Sequence, residues 1–192
     1  MTPLLRLTVV ETKLFLREPI AVFLALAFAP MLLVILGLIP PLSEPDPDLD
    51  GLRPITRYVP IVVTLGVAMF ALSSLSLLFA GYREKGVLRR MRMTPVQPTV
   101  LLGAQLLMAI ILSTLTMIAI LAIARLAFAI EVPRNIPAYL VGYLLLASAM
   151  FAIGLLISAV APSSRSATAI GTLAFFPLAF FAGLWLPREA MN

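Results

Sequence analysis

Uncharged positions along this chain fall into five long runs, 19–43, 58–82, 93–124, 135–164 and 166–187, separated by short clusters of charge. The runs hold 25, 25, 32, 30 and 22 residues. An α-helix needs about 20 residues to cross a hydrocarbon core about 30 Å thick. One apolar helix can hide inside a soluble domain, but five leave no polar face to meet water. A segment in lipid must also satisfy its backbone internally. The pattern therefore predicts an all-α fold, a polytopic membrane helix bundle forming one transmembrane domain over 1–192. Its five transmembrane helices are placed at about 20–39, 58–81, 99–124, 137–160 and 166–186.

The segment before the first run has a different pattern. Over 2–18, Arg6, Lys13 and Arg17 fall in a narrow arc at about 100° per residue, beside an apolar stripe of Leu7, Val10 and Leu14. This predicts an N-terminal amphipathic helix at the membrane interface, its cations facing lipid phosphates. Thr2 suits an N-cap and Pro3 the first helical position, while Pro19 ends the helix. Glu11 and Glu18 interrupt the amphipathic pattern.

Within the spans, Pro30 predicts a kink that frees a carbonyl for a neighbouring helix to satisfy. Arg125 is read as an anchor beyond the core, because a charge at mid-bilayer costs roughly 3 kcal/mol. Ala138/Gly142, Gly154/Ser158 and Ala167/Gly171 are spaced for close helix packing. Ser73, Ser74, Ser76, Gln105, Ser113, Thr114 and Thr116 fit either a polar route or hydrogen bonds between helices. Asp46, Asp48 and Asp50 alternate like calcium ligands without the rest of such a loop, so a solvated acidic connector is the reading.

Composition agrees with the runs: 61% of residues are hydrophobic and 12% charged, against about 25% charged in soluble domains. The pI near 10.2 does not imply nucleic acid, because the cations are dispersed among the spans. Their distribution sets orientation. With the N-terminus cytoplasmic, nine of the 14 Lys and Arg lie inside. The expected location is the plasma (inner) membrane, with the C-terminus outside after five spans. The chain has no Cys and no His. Disulfides, thiol chemistry and the commonest metal ligand and general base are thereby excluded. No catalytic constellation, cofactor site or metal site can be assembled from the remaining groups, so the expectation is a non-enzyme.

The sharpest feature is the basic segment 82–98. As a helix it places Val87, Leu88 and Met91 on one face, with Arg89, Arg90 and Arg92 around the other. Gly86 breaks the preceding span, and Pro95 and Pro98 end the element. Periodicity alone supports equally a short helix that docks an acidic partner and a loop that only fixes topology.

Two stretches resemble a known family. Lys13-Leu14-Phe15-Leu16-Arg17-Glu18-Pro19, leading into an apolar span, looks like the start of type-2 ABC transporter permeases. These are the membrane subunits of drug, polysaccharide and glycolipid exporters. Tyr82-Arg83-Glu84-Lys85-Gly86-Val87-Leu88-Arg89-Arg90-Met91-Arg92-Met93-Thr94-Pro95 is similar to their hallmark loop, with Gly103 in the following span. Phe175-Phe176-Pro177-Leu178 and Phe181-Ala182-Gly183-Leu184-Trp185-Leu186-Pro187 resemble their fifth span and the turn after it.

The resemblance implies a dimeric permease, with each copy docking a separate cytosolic P-loop ATPase that binds ATP and Mg. Arg83, Glu84, Lys85, Gly86, Leu88, Arg89, Arg90, Met91 and Arg92 would then form the coupling element, and 2–18 the connecting helix along the membrane. The family has six spans, so the reading here is of a chain apparently lacking the sixth. The alternative is a truncated or non-transporting scaffold fragment of such a permease. Gly81-Tyr82-Arg83-Glu84-Lys85-Gly86 is followed by Val87-Leu88 rather than by Lys and Ser or Thr, so it is no P-loop.

Overall fold

The computed structural model describes residues 3–45, 53–87, 90, 97–131 and 133–184. Helix α1 spans Pro3–Phe15, and α2 spans Pro19–Gly37. A short helical turn, α3, follows at Pro40–Ser43. The long helices α4, Ile55–Glu84, α5, Pro98–Phe128, and α6, Ile136–Val160, come next. The last described helix is α7, Ser164–Phe181. The described residues contain helices and no strand, as the apolar runs predict. The acidic triplet Asp46, Asp48 and Asp50 lies outside the described residues.

Among the described residues four helices, α2, α4, α5 and α6, are long and apolar enough to cross a bilayer. The fifth expected span, 166–186, corresponds to α7, which is 18 residues long and begins two residues earlier with Ser164 and Arg165. Its start is set by Ser163. That hydroxyl accepts from the Ser166 amide at 3.2 Å, while the Ser163 amide donates to the Ser166 hydroxyl at 2.9 Å. This reciprocal cap satisfies two amides that a helix start leaves open.

Proline placement explains the other starts. Pro19 and Pro98 each open a helix after an extended residue, where a missing N–H costs nothing. Asn135 caps α6 by accepting from the Ala138 amide at 3.1 Å. Helix α5 runs one turn past the expected end at 124. Ala129 adopts φ 52°, and the Ile130 amide returns to the Ala124 carbonyl at 3.0 Å. Arg125 is exposed in that last turn.

Helix α4 is the axis of the bundle: 72% of its apolar window is buried, against 28–39% for the other three spans. Phe70 lies at its centre, edge-on to Phe15 of α1 at 5.6 Å and to Phe151 of α6 at 6.2 Å. Such rings add about 0.5–1.5 kcal/mol per pair beyond the area they bury. Outward faces carry large apolar side chains instead, among them Leu126, Leu145, Leu156, Val160 and Leu173. That surface is matched to lipid and mismatched to water.

Both α2 and α4 contain a widened π-turn, at Phe23–Ala27 and at Phe70–Leu75. The first ends three residues before Pro30, the predicted kink. A π-register bond to the Ala25 carbonyl would need an N–H on Pro30, which has none. The Thr116 hydroxyl of α5 donates to that carbonyl at 3.3 Å.

The second π-turn pushes carbonyls sideways. Those of Ala71 and Leu72 point at Gly154 of α6 and Gly171 of α7, where any Cβ would overlap them. Two of the three small-residue pairs are therefore packing contacts. The third faces outward, with Ala138 exposed and open space around Gly142.

Candidate functional site

One end of the bundle gathers Tyr82–Val87, α1, the start of α5 and the α6–α7 turn. Helix α4 stops there for a local reason. Lys85 bonds back to Gly81, and Gly86 takes φ +67°, a left-handed conformation natural to glycine. The Arg90 amide then donates to the Gly86 carbonyl at 3.1 Å. Lys85 and Arg90 are exposed. Leu88, Arg89, Met91 and Arg92 lie outside the described residues.

Arg83 and Glu84 are exposed as well, and in addition bond to a neighbouring hairpin. The Arg83 guanidinium donates to the Ala159 carbonyl at 2.7 Å and to the Ala161 carbonyl. These lie at the C-terminal end of α6, where open carbonyls and the helix dipole favour a cation. The Glu84 carboxylate accepts from the Ser164 amide at 2.9 Å and the Ser164 hydroxyl at 2.6 Å. Ser164 is the first residue of α7, where the dipole favours an anion. Two adjacent residues of opposite charge thus cap the two helix ends that meet at the α6–α7 turn. The sequence holds both halves of this contact, Arg83-Glu84 and Ala161-Pro162-Ser163-Ser164, but nothing in the spacing of distant segments pairs them.

On the other side of α4, the Tyr82 hydroxyl donates to Glu11 Oε2 at 2.7 Å, and Gln105 Nε2 donates to the same oxygen at 3.2 Å. Glu11 is 6% exposed and Gln105 wholly buried, with Gln105 Oε1 unpartnered. These three side chains tie α1, α4 and α5 together, and buried polar groups of this kind hold because they are bonded.

The face of α1 that packs on the bundle is Thr8, Glu11 and Phe15. Val10 and Leu14, expected in its apolar stripe, are 53% and 49% exposed. Glu11 does not interrupt the buried face: it is its polar centre, made tolerable by Tyr82 and Gln105. Arg6, Lys13 and Arg17 are all exposed on the side away from that face.

Several polar residues of the spans bond within or between helices. Ser76 donates to the Gly154 carbonyl at 2.9 Å, Tyr143 donates to Ser113 at 2.9 Å, and Thr116 also donates to its own Leu112 carbonyl at 3.0 Å. Among the described residues no group of three or more His, Cys, Asp or Glu side chains is placed to hold a metal. A small apolar pocket lies at the opposite end of the bundle, lined by Val59, Leu121, Ile130 and Tyr139 among others.

Comparison with known families settles what kind of bundle this is. Residues 3–192 match the model of the ABC-2 type transporter family. The chain belongs to the ABC-2 type transporter family. No curated protein and no solved structure matches it. Membership and the apolar helices together make it a multi-pass membrane protein with the permease domain of an ABC-2 transporter.

Proposed function

We propose that this chain is the membrane-spanning subunit of an ATP-driven exporter. It docks a separate cytosolic P-loop ATPase through 82–98 and forms the substrate path as a dimer. The observation that carries the reading is a cation-rich break between α4 and α5, in a chain matched end to end by the ABC-2 family. Lys85 and Arg90 are exposed beside that break, the kind of surface an acidic groove would receive. ATP and Mg belong to the partner, and this chain contributes movement rather than catalysis. The N-terminus and 82–98 face the cytosol of the plasma (inner) membrane, as the Lys and Arg distribution supports. Helix α1 then lies along the cytoplasmic interface, with Arg6, Lys13 and Arg17 toward lipid headgroups.

Affinity purification in mild detergent, followed by mass spectrometry, tests the docking. A P-loop ATPase is expected with the native chain. It is expected to be lost from a variant carrying Arg89→Glu, Arg90→Glu and Arg92→Glu, with membrane insertion intact. Equal recovery of the ATPase with both chains would sink the docking reading.

A further inference from the structure

The family resemblance assigns Arg83 and Glu84 to the surface that meets the ATPase. Their hydrogen bonds run elsewhere. Arg83 holds the Ala159 and Ala161 carbonyls, and Glu84 holds the amide and hydroxyl of Ser164. Among the described residues these bonds run to the end of α6 and the start of α7, whereas the chain itself leads on from Glu84 toward α5.

We infer that Arg83 and Glu84 are transmission residues: they pass movement of the docking segment to the α6–α7 hairpin instead of binding the ATPase. The inference rests on the docking role proposed for 82–98. Three features of the packing make the hairpin a rigid receiver. Ala80, Ala161 and Ala167 form a buried seam directly beside the clamp, small enough for the helices to approach closely. Further along, the Ala71 and Leu72 carbonyls fill the notches at Gly154 and Gly171. Ser76 adds a bond to the Gly154 carbonyl at 2.9 Å. Helix α4 and the hairpin are therefore locked at both ends of their contact. Close-packed elements of this kind shift as a unit rather than deform. A displacement applied at Lys85–Arg90 reaches α4 through the Gly86 break, and the clamp is the first place where it can enter α6 and α7.

The Glu84 half of the clamp can be opened without touching 82–98. Ser164 is the first residue of α7, a position where proline is favoured. Ser163 before it is extended, at φ −143° and ψ 165°, as a residue preceding proline requires. Ser164→Pro removes both donors to Glu84 and leaves the helix start intact. Arg83→Met, added to it, removes the other half, since a methionine side chain has no N–H to donate.

The chain has no cysteine, so Ala169→Cys on the exposed side of α7 carries a single environment-sensitive fluorophore. The labelled chain, reconstituted with its ATPase in nanodiscs, is expected to report an ATP-dependent fluorescence change. Ser164→Pro is expected to keep the ATPase bound while that change falls several-fold, and the double variant to abolish it. Restoring a hydroxyl donor with Ser164→Thr in place of Pro is expected to return the signal.

An undiminished signal in the double variant overturns the inference, and so does loss of the ATPase from Ser164→Pro. In either case the docking reading stands. Failure of the native chain to bind any ATPase removes both. If the double variant does not accumulate in membranes, Ser164→Pro against Ser164→Thr decides alone.

Discussion

The Tyr82 hydroxyl meets Glu11 Oε2 at 2.7 Å, joining the end of α4 to the helix that precedes the first span. Gln105 donates to the same oxygen at 3.2 Å, so one buried carboxylate holds three helices. Glu11→Ala strands the Tyr82 hydroxyl and the Gln105 amide at once. The expected loss is about 1–3 kcal/mol, read as a lower midpoint of thermal unfolding in detergent by circular dichroism. Glu11→Gln is expected to cost less, since its amide still accepts from Tyr82 and can donate to the unpartnered Gln105 Oε1. A cycle of Glu11→Ala and Tyr82→Phe is expected to be non-additive by about 1 kcal/mol. Strict additivity would mean that the two residues are not coupled.

The glycine notches give a contrast among three positions of one residue type. Gly154→Ala and Gly171→Ala drive a methyl into the Ala71 and Leu72 carbonyls. Backbone cannot rotate aside as a side chain can, so about 3 kcal/mol of destabilisation is expected for each. Gly142 has nothing within 4 Å of its added Cβ, and Gly142→Ala is expected to be neutral or slightly stabilising in its helix. The yield of folded protein after solubilisation separates the two classes. Equal behaviour of all three would remove the notch argument.

These contacts show what the chain discloses by itself and what it withholds. Four of the five expected spans coincide with helices long and apolar enough to cross a bilayer, because absence of charge is a property of each segment alone, and lipid demands it of every segment separately. Gly86 as a helix break was legible for the same reason, since its effect is local. The extension of α5 to Phe128 was not, because it depends on Ala129 accepting a left-handed conformation. Nor was the role of Glu11. In the sequence it is a charge spoiling an apolar stripe, and its partners lie 71 and 94 residues away. The coupling element was legible as a block of charge but not as two parts. All four of Arg83, Glu84, Lys85 and Arg90 are exposed, and only the fold shows that Arg83 and Glu84 also bond to the α6–α7 hairpin.

Thr116 and Ala25 test the proline-linked π-turn. The Thr116 hydroxyl supplies the bond that residue 30 cannot give to the Ala25 carbonyl. Thr116→Val keeps the shape and deletes the donor. Bonds between membrane helices average about 0.6 kcal/mol, so a small but measurable fall in thermal midpoint is expected. Pro30→Ala, by restoring an amide at residue 30, is expected to shrink the effect of Thr116→Val. An effect of Thr116→Val unchanged in the Pro30→Ala background would separate the hydroxyl from the proline.

The exposed stripe on α1 makes a prediction about lipid. Arg6, Lys13 and Arg17 lie away from the face that packs on the bundle, so they are free to reach headgroup phosphates. Each cation near an anionic surface contributes about 1 kcal/mol, and the attraction weakens with salt. Adding anionic phospholipid to detergent-solubilised protein is expected to raise its thermal midpoint more than zwitterionic lipid does. The difference should shrink as ionic strength rises. A variant with Arg6→Gln, Lys13→Gln and Arg17→Gln is expected to lose that preference while folding normally, because none of the three supports the Thr8, Glu11 and Phe15 face. An undiminished preference in the variant would place the lipid contact on other cations, and α1 would then be held at the interface by its packing on α4 and α5.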